Sequence, residues 1–142
     1  MRILGIDYGG RRIGLALSDP LDIIATGLPT IANCGEEEVI EELRRLVEER
    51  DVGEIVVGLP RNMDGSLGPQ AEKTMAFAER LKALGRPVHL VDERLTTERA
   101  NRTMIDAGFS RAERKKHADR MAAQFILQSW LDARSRTRDE DG

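Results

Sequence analysis

Ile3-Leu4-Gly5-Ile6 and Ile13-Gly14-Leu15-Ala16-Leu17 are short apolar runs separated by a glycine-rich turn. Runs of that length, bounded by turn residues, predict strands over Ile3–Asp7 and Arg12–Ser18, and a third over roughly Ile23–Ile31. After Gly35 the period changes. Val39, Ile40, Leu43, Leu46 and Val47 recur at helical spacing. That helix breaks near Gly53, where Ile55-Val56-Val57 begins a run without polar alternation, as expected of a strand covered on both faces. Beyond the turn-rich segment Pro60–Pro69, Thr74, Phe77, Ala78, Leu81 and Leu84 mark a second helix, stopped by Gly85.

Val88–Val91 predicts another buried strand. Thr96 is placed to cap a third helix, and Ser110 with Glu113 has the capping-box spacing for a fourth. This last helix carries Ala122, Phe125, Ile126, Ser129 and Trp130 on one face, then gives way to a frayed, charged tail from Ser135. A hairpin-joined unit followed by β-α-β crossovers predicts an α/β fold: a mixed five-stranded sheet with helices on its faces. The chain divides into one domain over residues 1–134 and a disordered tail over 135–142.

Charge sharpens the picture. The net charge is −3, but residues 36–54 hold nine acids against three arginines, while residues 86–120 hold nine bases against six acids. One acidic and one basic face are compatible with phosphate binding despite the acidic total. The single Cys34 favours a reducing, cytoplasmic setting. The N-terminus carries no signal-peptide pattern. The longest apolar helical stretch is interrupted by Gln124 and Gln128, so no membrane association is expected.

Three acids stand at the ends of predicted elements: Asp7 at the tip of the first strand, Glu93 just past Val88–Val91, and Asp119 at the head of the last helix. A carboxylate at the tip of a buried strand is costly without a partner or a task, which favours a functional Asp7. Glu93 alone reads equally well as a loop acid paired with Arg94, and Asp119 alone as an acid stabilised by a helix N-terminus. In open sheets, sites lie beyond the carboxyl ends of parallel strands, which suits Asp7 and Glu93. Asp119 precedes Ala122 and Ile126 at helical spacing, which predicts that it faces the sheet. Together the three suit one site for Mg²⁺ or Mn²⁺, with two ions acting on a phosphodiester.

Arg11, Arg12, Arg94, Lys116 and Arg120 are candidates for phosphate contacts beside that site. The loop Gly58–Ser66, with Asn62 and Ser66, follows a strand and precedes a helix whose N-terminus suits a phosphate, although an ordinary turn fits it as well. His89, inside a strand, reads as a core or edge residue, and His117 as a solvated helix residue. Phe125 and Trp130 read as core.

Four blocks carry a family resemblance: GIDYGGRRIGLALSD at 5–19, VGLPRNMDGS at 57–66, DERLTTERA at 92–100 and DRMAAQFILQSWLD at 119–132. They resemble the YqgF family, ribonuclease H-like proteins described as Holliday junction resolvases and as nucleases maturing pre-16S ribosomal RNA. The resemblance implies a ribonuclease H-like fold and an acidic triad at Asp7, Glu93 and Asp119. Arg11 stands where many members carry Lys, which preserves charge.

Two other readings compete. An actin-like ATPase opens on a similar G-I-D-x-G turn, but it closes two domains over ATP and 142 residues provide one. A non-catalytic nucleic-acid-binding module would use the basic segment and dispense with the acids. Symmetric cutting of a four-way DNA junction requires a stable two-fold dimer, and no dimer face is evident in the sequence. Aromatic content is only 4%, which leaves few base-stacking platforms. The expectation is therefore a monomer or weak homodimer acting on structured RNA, with the pre-ribosome as docking partner and the DNA junction as the alternative substrate.

Overall fold

The computed structural model describes residues 1–62, 64–93, 102, 105, 106, 108 and 110–141; for 113–120 and 136–141 it describes the backbone. Five strands form one sheet: β1 (Arg2–Tyr8), β2 (Arg12–Ser18), β3 (Ala25–Ala32), β4 (Val52–Leu59) and β5 (Val88–Asp92), in the order β3-β2-β1-β4-β5. β1 and β3 pair antiparallel with β2, while β4 pairs parallel with β1 and β5. The mixed sheet is the predicted one.

Strand alternation divides the sheet into two buried faces. Leu4, Ile6, Leu15, Ile55 and Val57 point to one side, where they pack against α1 (Glu36–Glu49) and α2 (Pro69–Leu81) through Val39, Leu43, Val47, Phe77 and Leu81. Ile3, Ala16 and Val56 point to the other side, against Ala123, Ile126, Leu127 and Leu131 of α3 (Arg111–Asp141). Burial on both faces explains why the strands read as continuous apolar runs.

Local chemistry sets the boundaries. Glu36, Glu37 and Glu38 occupy the first turn of α1, where the positive end of the helix dipole favours acids. Asp51 then turns the chain at φ 54°, and β4 begins at Val52. The chain therefore turns two residues before the break predicted near Gly53, and Gly53 lies inside the strand. After α2, a 3₁₀ turn over Lys82–Leu84 ends at Gly85 in the left-handed region, φ 80°, the predicted stop.

Other boundaries depart from the sequence pattern. β3 starts at Ala25 and not near Ile23, because the Asp19 carboxylate accepts the backbone N–H groups of Leu21, Ile23 and Ile24 and holds them in a loop. The same bonds hold the Asp19 carboxyl below its ordinary pKa. β5 is an edge strand and is only half-buried, with Leu90 42% exposed, where a buried strand was expected. α3 starts one residue after the predicted cap Ser110. Its buried stripe is Ala123, Ile126, Leu127 and Leu131, shifted from the predicted face; Ala122, Phe125, Ser129 and Trp130 are half-buried.

α3 runs on to Asp141. No Gly or Pro interrupts it. The Arg134 guanidinium grips Glu54 of β4 with two bonds, 3.0 and 3.1 Å, and fastens this part of the helix to the sheet. The helix predicted from Thr96 lies outside the described residues.

Candidate active site

Ile3, Gly5 and Asp7 alternate onto the α3 face of β1, so Asp7 emerges on that face one residue before the strand ends. His89, Val91 and Glu93 alternate in the same way at the end of β5. Val91 joins the apolar cluster under α3, and His89 stacks on Trp130 at 4.6 Å between ring centroids. Both acids are half-buried and lie at carboxyl ends of strands.

β4 separates them. Two strand spacings set the backbones roughly 10 Å apart, yet the side chains meet. The Glu93 carboxyl shares a hydrogen bond with Asp7, and burial, followed by the Asp7 charge and that bond, raises its pKa to about 8. Burial, the Asp7 charge and their shared hydrogen bond thus favour the protonated form of Glu93.

Gly58 makes this contact feasible. It is the residue of β4 over which the acids approach: a Cβ there would stand 3.7 Å from Glu93 Cδ and would run into Ile126 Cδ1. Gly5 does the same for the helix, since a Cβ on it would lie 2.7 Å from Leu127 Cβ and 3.1 Å from the Ala123 carbonyl. Two glycines thus let α3 lie directly on β1 and β4. Gln124 and Gln128 orient it further. Gln124 donates to the Ala25 carbonyl, while Gln128 accepts from the Ala25 N–H and donates to the Ile23 carbonyl.

Asp119 stands four and seven residues before the buried Ala123 and Ile126 on α3; its side chain lies outside the described residues. So do the side chains of Lys116 and Arg120, and all of Arg94. Among the described residues no third Asp, Glu, His or Cys completes a metal-binding cluster. The chemistry of the pair nevertheless suits a hard cation. Two half-buried carboxyls in contact favour a proton or a cation between them, and the donor atoms are all oxygen.

The remaining candidates occupy two turns. Arg11 and Arg12 are exposed in the β1–β2 turn, next to the end of β1. Asn62 and Ser66 are joined to each other in the loop before α2: Asn62 Nδ2 donates to Ser66 Oγ at 3.0 Å, and Ser66 Oγ donates to Asp64 at 2.6 Å. Gly58 as the window between the acids was not read from the sequence. A glycine following Val56-Val57 in a buried strand was the available signal.

Residues 1–133 match the RuvX family, described as "Holliday junction resolvase". The chain belongs to the RuvX family. This is the family that its four sequence blocks resemble under the name YqgF. A protein of Clostridium kluyveri named "Putative pre-16S rRNA nuclease" is 51% identical over 133 residues, covering 93% of this chain and 97% of that one. A protein of the same name from Pelotomaculum thermopropionicum is 52% identical over 144 aligned positions, covering 100% of this chain and 94% of that one. The fold is that of RuvC. T. thermophilus RuvC, solved with a Holliday junction substrate, superposes with a TM-score of 0.61 at 17% identity, covering 96% of this chain and 97% of that one. This RuvX-family chain therefore carries the ribonuclease H-like architecture, with Asp7 and Glu93 where its parallel strands end.

Proposed function

We propose that this chain is a divalent-metal-dependent nuclease that hydrolyses phosphodiester bonds in the 5′-end processing of pre-16S ribosomal RNA. The contact between the Asp7 and Glu93 carboxyls, at the ends of two strands, supports this reading more than any other observation. The name shared by relatives at about half identity supports the RNA substrate.

In this proposal Asp7, Glu93 and Asp119 would hold Mg²⁺ or Mn²⁺ through oxygen atoms alone. When bound, a pair of such ions would supply the Lewis acidity for activating a water and stabilising the leaving oxygen. The protein's own part is electrostatic and geometric. Asp7 and Glu93 gather negative charge in a half-buried site, and Glu93 would release its proton to solvent on joining the ligand set. Arg11, Arg12, Arg94, Lys116 and Arg120 bind the phosphates on either side of the cut, and the loop of Asn62 and Ser66 holds the backbone of the nucleic acid. The enzyme acts as a monomer or weak homodimer in the cytoplasm, the compartment that a lone cysteine favours. Among the described residues no helix is long and apolar enough to cross a membrane.

The family description and the RuvC-like fold favour a second reading, resolution of four-way DNA junctions. Cleavage of matched junction, duplex and pre-16S rRNA substrates, with and without Mn²⁺, separates the two. Cutting of the ribosomal precursor alone is the expected result. A tight dimer that nicks junctions symmetrically and ignores the precursor would reverse the choice.

A further inference from the structure

Asn33 grips the β1–β2 turn at two points. Its backbone N–H donates to the Arg11 carbonyl at 2.9 Å, and its side-chain Nδ2 donates to the Gly9 carbonyl, also at 2.9 Å. The two carbonyls flank Gly10, so one residue holds both sides of the turn. Asn33 lies just past the end of β3, and β3 pairs with β2 and not with β1. Its side chain therefore reaches past β2 to fasten the outer strand to the chain that leaves β1.

The turn needs such a fastening. Gly10 stands in open space, with no atom within 4 Å of a Cβ there, whereas a Cβ at Gly9 would run into the Arg12 carbonyl, so the chain folds tightly on itself at Gly9 and is unsupported at Gly10. On the other side Tyr8 is stacked on Phe77 of α2, with centroids 4.1 Å apart and planes at 16°, and its carbonyl accepts from Gln70 Nε2 at 3.2 Å. Asp7 immediately precedes this braced segment, and Arg11 and Arg12 immediately follow it.

We infer that Asn33 is a positioning residue: by clamping the Gly9 and Arg11 carbonyls it fixes the β1–β2 turn, and with it the placement of Asp7 relative to Arg11 and Arg12. This rests on the reading of Asp7 and Glu93 as the reactive site. Asn33 touches neither carboxyl's role directly; it acts through the turn, as outer residues act on the groups they orient.

The test compares Asn33→Asp, which keeps the side-chain shape and removes the donor, and Asn33→Ala with the wild type and with Asp7→Asn. Cleavage of a pre-16S rRNA fragment in Mn²⁺ is measured at equal folded fraction, fixed by circular dichroism and thermal melting. Both Asn33 variants are expected to lower kcat about 10- to 100-fold, with KM within about threefold of wild type, the signature of a lost interaction that matters in the transition state. If Asn33→Asp does not fold, Asn33→Ala decides. Wild-type kcat in a folded Asn33 variant, with Asp7→Asn inactive, would overturn this inference and leave the site standing. A raised KM with unchanged kcat would overturn it too, by placing Asn33 in binding. Wild-type cleavage by Asp7→Asn would instead remove the underlying reading.

Discussion

Asp7 and Glu93 stand on strands that do not pair, with β4 between them, yet their carboxyls share a hydrogen bond across the side-chain-free position Gly58. Bringing two acids together in a half-buried place costs free energy in the absence of a proton or a cation. This cost is tolerated because β1, β5 and α3 are fixed by packing elsewhere in the fold.

The first consequence is a dependence of stability on pH. The Glu93 pKa is raised to about 8 in the folded chain against an ordinary value of 4.5. Below the ordinary value both folded and unfolded chains carry the proton, and the stabilisation is fully present. Between that value and about 8 only the folded chain keeps it, so stability falls as pH rises and levels off above the folded pKa. Thermal melting of the metal-free protein from pH 5 to 9 should show this slope, and Glu93→Gln should flatten it. Mn²⁺ should raise the melting temperature more at pH 8 than at pH 6, because the ion displaces the proton.

Gly58→Ala tests the window between the acids. The added methyl meets Ile126 on one side and approaches Glu93 on the other. Overpacking of this kind costs about 1–3 kcal/mol. Melting should register that loss, and cleavage should fall further than the loss of folded protein explains.

Much of this arrangement was legible in the sequence because it is local. The apolar runs of β1 and β2, the period of α1 and the stop at Gly85 each depend on neighbours a few residues away. The start of β3 was not legible, since the Asp19 carboxylate captures Ile23 and Ile24 in a loop although their side chains favour a strand. The acids were legible as element ends. Their meeting was not, because it depends on the strand order that places Gly58 between them. Asn33 gave no sequence signal at all: its partner carbonyl at Gly9 is 24 residues away.

Arg12 tests the proposed path of the nucleic acid. It is exposed beside the end of β1, where a phosphate would pass the acids. Arg12→Ala should weaken RNA binding and reduce the salt slope of the affinity by about one. Affinity measured across a salt series checks this, and an unchanged slope would move the binding face elsewhere.

Trp130 offers a test of the packing between α3 and β5. Its ring stacks on His89, but its buried Nε1 has no partner among the described residues. Trp130→Phe keeps an aromatic ring and removes the unpaired donor, which is worth about 1–3 kcal/mol when buried. Denaturant unfolding should therefore show stability close to or above wild type, the loss of ring area offsetting part of the gain.

Cleavage by Asp7→Asn tests the central claim most directly. The substitution preserves shape and removes the charge that both accepts from Glu93 and would hold a cation. With the fold verified by melting, the purified variant should cut a pre-16S rRNA substrate in Mn²⁺ at least roughly 100-fold more slowly than wild type, about 2.7 kcal/mol in the barrier. Metal-dependent cleavage at the wild-type rate would contradict the assignment of this acid pair as the reactive site.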